Sequence, residues 1–105
     1  MIGIDVLKER ISLICQNHKV EKAILFGSFA RNEASRHSDI DIIIIQNTSL
    51  RFLDRYDGIL AAFSRALPEY DVDLLIYTPE ELAKISARPF IAQAMKEGKV
   101  LYESV

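Results

Sequence analysis

Asp39 and Asp41 stand two residues apart at the head of Ile42-Ile43-Ile44-Ile45, and of all the side chains in the sequence their types and spacing point most directly to chemistry. In an extended strand residues i and i+2 face the same side, so the two carboxylates project together and can share hard cations. A second pair, Asp71 and Asp73, precedes Leu74-Leu75-Ile76 with the same spacing. Acids at the start of an apolar strand are costly unless they are hydrogen-bonded, paired or bound to metal. If the two strands are neighbours, one acid of the second pair reaches the cations held by the first, and spacing leaves the choice between Asp71 and Asp73 open. Three such oxygens suit magnesium, which takes few carboxylates and completes its shell with waters and substrate phosphates. Zinc is not expected, because Cys15, His18 and His37 make no recognisable zinc-ligand set.

Upstream, Gly27-Ser28 follows the apolar run Ala23-Ile24-Leu25-Phe26, and ten residues separate it from Asp39. Glycine permits a sharp turn and the close approach of a phosphate, and Ser28 adds a hydroxyl and an amide. This is neither the Gly-Lys-Ser/Thr loop of NTPases nor a dinucleotide-binding glycine fingerprint. Arg31 either faces phosphate or pairs with Glu33 or Asp39 to fix the loop.

The elements that must hold these residues follow from periodicity. Ile4, Leu7, Ile11, Ile14 and Cys15 recur at three and four, predicting a helix over residues 5–18 with Asp5 as its N-cap and Cys15 in the core. Residues 20–26 read as a strand, 29–33 as a short helical segment, and 39–45 as a central strand covered on both faces. Leu53, Tyr56, Leu60, Phe63 and Leu67 predict one long amphipathic helix over 49–67, with Arg51, Asp54, Arg55 and Arg65 off its apolar face and Pro68 at its end. Residues 70–77 form a third strand, and Thr78-Pro79-Glu80-Glu81 is a capping-box start for a further helix. That helix breaks near Arg88-Pro89, resumes to Glu97 and stops at Gly98, before a last strand over 100–102. Phe90, Ile91, Met95 and Val100 are either core against the sheet or part of an apolar patch, and their helical spacing makes core the expectation. The reading is one α/β domain over residues 1–105.

Half of the 105 residues are apolar, about a quarter are charged, and the formal net charge is −2. That balance speaks against broad, salt-driven nucleic-acid binding, and no apolar run approaches a membrane span. A single cysteine and a first segment, Met1-Ile2-Gly3-Ile4-Asp5, without a basic lead make a cytoplasmic location the expectation.

Taken together, Gly27-Ser28-Phe29-Ala30-Arg31, ten residues between Ser28 and Asp39, Ser38-Asp39-Ile40-Asp41 and the later Val72-Asp73-Leu74 resemble the minimal nucleotidyltransferases of the DNA polymerase beta superfamily. The resemblance runs from about Val20 to Tyr102. It implies a small mixed sheet backed by helices, with Asp39, Asp41 and Asp73 as catalytic acids that ligate magnesium, two ions being expected. It also implies that Gly27, Ser28, Arg31 and Ser38 serve ATP, the expected substrate. Small members resemble the antitoxin half of two-gene modules whose partner is a HEPN-domain toxin, and some transfer AMP to a tyrosine of that toxin. The rival expectation is a non-catalytic antitoxin that neutralises its partner by complex formation.

Overall fold

Alternating apolar residues sort the strands onto two covered faces of one sheet. The computed structural model describes residues 1–104; Val105, the last residue of the expected domain, lies outside the described residues. In chain order the elements are α1 (Ile4–Asn17), β1 (Val20–Phe26), β2 (Ile40–Gln46), a 3-10 helix (Phe52–Tyr56), α2 (Ile59–Ala66), β3 (Val72–Tyr77), α3 (Pro79–Ile85), α4 (Pro89–Glu97) and β4 (Lys99–Glu103). The sheet order is β3-β2-β1-β4. β1 runs antiparallel to both β2 and β4, while β2 and β3 are parallel, so the sheet is mixed as expected.

One face carries Ala23, Leu25, Ile40, Ile42, Ile44, Leu74 and Ile76, packed against Leu7, Ile11 and Cys15 of α1, Ile59 and Phe63 of α2, and Leu67 at the C-terminal cap of α2. Burial there pushes the Cys15 thiol up to about 12, which keeps it an inert core group. The other face carries Ile24, Phe26 and Ile43 against Ala94 of α4, with Ile45, Leu75 and Tyr77 alongside. β2 therefore spends its isoleucines alternately on both layers, which explains their unbroken run.

Several expectations change. The N-cap of α1 is Gly3, and Asp5 instead sits in the first turn, where its charge favours the exposed amides. The long helix over 49–67 is broken: a 3-10 turn ends at Tyr56, and Gly58, at φ 78°, bends the chain into α2. This shifts the buried stripe to Ile59, Phe63 and Leu67, leaving Leu53 and Leu60 exposed. Residues 29–33 form turns rather than a helix. They close with Arg31 N–H donating to the Gly27 carbonyl (3.1 Å), and Asn32 takes φ 59°, ending any helical run. Of Phe90, Ile91, Met95 and Val100, only Ile91 is core.

Arg55, expected off the apolar face, is buried, and it ties the 3-10 helix to α3. Its Nη1 and Nη2 donate to the two Glu81 oxygens at 2.6 and 2.9 Å, Nε donates to the Leu50 carbonyl and Nη1 also to the Ile76 carbonyl. Glu81 in turn completes the predicted capping box, accepting from Thr78 N–H (2.9 Å) while its own amide donates to Thr78 Oγ1. The Arg55 hydrogen bonds, then that of the Thr78 amide, hold the Glu81 carboxyl down at about 2, below its ordinary 4.5. A lowered carboxyl stabilises the fold above its ordinary value and loses that contribution as the pH falls towards 2. Acid denaturation followed by circular dichroism should therefore show a steeper loss of stability between pH 4.5 and 2 for the wild type than for Glu81→Gln.

Candidate active site

The parallel pairing of β2 with β3 sets Asp41 directly beside Asp73, with Ile40 beside Val72 and Ile42 beside Leu74. On its other side Asp41 faces Phe26, the residue before Gly27. Because Ile40 and Ile42 point into the α1/α2 layer, Asp41 must point to the opposite face, as must Asp73. There they open onto a cleft of about 440 Å³ between the sheet and α4, lined also by Phe26, Gly27, Arg31, Leu75, Phe90 and Gln93. The register thereby resolves the choice left by spacing: Asp73, not Asp71, joins Asp41 in the cleft.

Gly27 belongs to this wall for a steric reason. It adopts φ 74°, and a Cβ placed on it would collide with Asp41 Oδ2. The turn that follows is closed by amides of Arg31, Asn32 and Glu33, so those of Ser28, Phe29 and Ala30 are not spent on these bonds. Ser28 follows Gly27 in the chain but is not among the residues that line the cleft. Arg31 lines the cleft and is held there by Glu97 of α4 (3.2 Å) and by Glu33 (3.5 Å). Of the two expected pairings, the Glu33 contact forms and the Asp39 contact does not, and Glu97 is a partner that loop spacing could not reveal.

Asp39, expected in the strand beside Asp41, instead lies exposed just before β2; it does not line the main cleft but a separate polar cavity with Ser38, Asp71 and His37. The Ser38 hydroxyl accepts the Ser35 amide at 2.9 Å, which commits it to the local turn rather than to the main cleft. Electrostatics couple the acids across this edge. Burial, then repulsion from Asp73 and Asp39, pushes the Asp41 carboxyl up to about 6, with Arg31 opposing the rise. Asp39 is raised too, by loss of solvent first and then by Asp73 and Asp71. Among the described residues of this structure, no three His, Cys, Asp or Glu side chains are grouped closely enough to hold a metal ion. An open, all-oxygen set of mutually repelling carboxylates is nonetheless the donor chemistry that suits magnesium, whose remaining ligands come from substrate and water.

Sequence reasoning missed the cleft's second wall. Phe90, Gln93, Ala94 and Glu97 fall at helical spacing along one side of α4, so the signal was available. It was masked because apolar residues at that spacing usually mean core.

The chain matches the family described as polymerase beta, nucleotidyltransferase over residues 9–104. It belongs to that family. The nucleotidyltransferase is also similar to a Methanocaldococcus jannaschii protein that bears the name protein adenylyltransferase, with 28% identity over 91% of this chain and 94% of the relative. It is 35% identical to the Haemophilus influenzae protein named protein adenylyltransferase MntA, over 71% of this chain and 67% of that one. Against other M. jannaschii relatives it spans only about half their length. In fold it resembles a chain from the structure of a tri-AMPylated Shewanella oneidensis HEPN toxin in complex with MNT antitoxin. That match has a TM-score of 0.61 at 21% identity and covers 97% of this chain and 74% of that one. No described helix of the nucleotidyltransferase is long and apolar enough to cross a membrane.

The Gly27 contact is testable by stability. Gly27→Ala should cost about 2 kcal/mol in urea denaturation, half from the left-handed backbone and half from the Asp41 collision. In an Asp41→Ala background only about 1 kcal/mol of that cost should remain.

Proposed function

We propose that this nucleotidyltransferase moves AMP from ATP to a tyrosine hydroxyl of a HEPN-domain toxin and so acts as an antitoxin in the cytoplasm. The observation that carries the reading is the convergence of Asp41 and Asp73 on one cleft beside the Gly27 turn, with Asp39 just before β2 in the neighbouring polar cavity. The names of the similar proteins and of the Shewanella complex support the choice of AMP and of partner.

Asp39, Asp41 and Asp73 are the residues that would hold magnesium. When bound there, the metal neutralises triphosphate charge and eases ionisation of the attacking hydroxyl. The Gly27 turn admits the phosphates close to the backbone, and the amides of Ser28 to Ala30 are free to donate to them. Arg31 adds a positive charge at the same end of the cleft. The tyrosine oxygen forms a bond to the α-phosphorus, the bond from that phosphorus to the β-phosphate oxygen breaks, and pyrophosphate leaves. In this reading Asp73 accepts the hydroxyl proton.

The test is to incubate the protein with magnesium, ATP and the product of its neighbouring gene, and to weigh that product by intact-protein mass spectrometry. One or more added AMP units are expected, falling to background with Asp39→Asn/Asp41→Asn while the variant keeps its circular dichroism. An unchanged mass despite a tight complex would support neutralisation by binding alone and overturn the transfer reading.

A further inference from the structure

An ATP whose phosphates lie by Gly27, Asp41 and Asp73 has to place its base elsewhere, and the rest of the same cleft has a distinct character. Its apolar lining is Phe26 and Leu75 from the sheet and Phe90 from α4. Phe90 is 60% exposed, an unusual position for a large aromatic side chain. It is nevertheless fixed: Pro89 starts α4 one residue earlier, and the Phe90 ring packs edge-on against Phe26 with centroids 5.8 Å apart. The cleft thus offers a flat aromatic surface, set in place before any ligand arrives.

One turn further along α4, Gln93 faces the same space. Its Nε2 donates to Glu97 Oε1, and Glu97 Oε2 accepts from Arg31 Nη1 at 3.2 Å. A carboxylate only accepts, so Glu97 dictates which end of the Gln93 amide it takes. The amide nitrogen is bound to Glu97, and the carbonyl oxygen, Oε1, is left to meet whatever enters the cleft.

We propose that Phe90 and Gln93 form the base subsite of this nucleotidyltransferase, Phe90 stacking on the purine and Gln93 Oε1 accepting from the exocyclic amine of adenine. Guanine presents a carbonyl oxygen at the corresponding position, and two acceptors facing each other repel. The Arg31–Glu97–Gln93 chain therefore links the phosphate end of the cleft to base choice. The inference rests on the nucleotidyltransferase reading and adds the specificity that the aspartates cannot supply.

Isothermal titration of the full chain with AMP-PNP and with GMP-PNP, in magnesium, tests it. Phe90→Ala should weaken both nucleotides about tenfold, as expected for a lost stacking platform, and Phe90→Trp should restore binding. Gln93→Leu should leave GMP-PNP no weaker and bring a preference of about fivefold or more for AMP-PNP close to parity. Phe90 and Gln93 are exposed, so thermal melts should show these variants folded like the wild type. Wild-type affinities in both variants would overturn the subsite while leaving the nucleotidyltransferase reading intact. A wild-type chain that binds neither nucleotide would overturn both.

Discussion

The parallel register of β2 against β3 forces two like charges together. A slip of one residue would turn Asp73 to the α1/α2 layer and bury it among isoleucines, so the site and the core are specified by the same alignment. The repulsion is unfavourable in the protein alone. It is offset by the apolar residues that follow each acid: Ile42 and Ile44 of β2 and Ile76 of β3 are fully buried, and together they fix the strands in a register that the carboxylates would oppose. What results is a pair of acids held at close quarters by packing elsewhere, with Asp41 titrating near 6 instead of in the ordinary carboxylate range. At neutral pH the Asp41 carboxyl is still mostly ionised, and a bound cation would relieve the repulsion that raises it.

The second requirement is a wall opposite the acids. α4 supplies it, and its placement depends on a chain of local decisions. Thr78 and Glu81 start α3, Pro89 restarts the helix in a new direction, and Ala94 seats it on Ile24, Phe26 and Ile43. Arg55, reaching from the 3-10 helix to Glu81, anchors the front of that sequence. The cleft is thus built by residues far from the Gly27 turn, and its contents span both the phosphate-facing and the aromatic ends.

Much of this was legible in the residues. The bounds of β1, the capping box, the restart at Pro89 and the both-faces burial of β2 follow from local chemistry that tertiary contacts do not override. The Gly27 turn and the meeting of Asp41 with an acid of the second pair were readable because glycine's backbone freedom and strand spacing limit where such residues can sit. What was not readable depended on partners distant in sequence. The break at Gly58 looks like helix in periodicity alone, since Tyr56 and Phe63 are both at least half-buried on either side of it. Arg55 looked like a solvated charge until Glu81, 26 residues away, supplied its partner. Asp71 and Asp73 were equivalent in spacing, and only the pairing of β2 with β3 separates them. Ser38 fits the motif by position, yet its hydroxyl is bound to the Ser35 amide and lines the smaller cavity.

The account stands on the strained state of Asp41. The most direct measurement is a carbon-detected NMR titration of its side-chain carboxyl, first in the protein alone and then with magnesium and AMP-PNP. The account predicts a midpoint near 6 in the free protein, with the carboxyl remaining ionised to well below that pH once the cation is bound. A midpoint in the ordinary aspartate range, unmoved by magnesium and nucleotide, would contradict it.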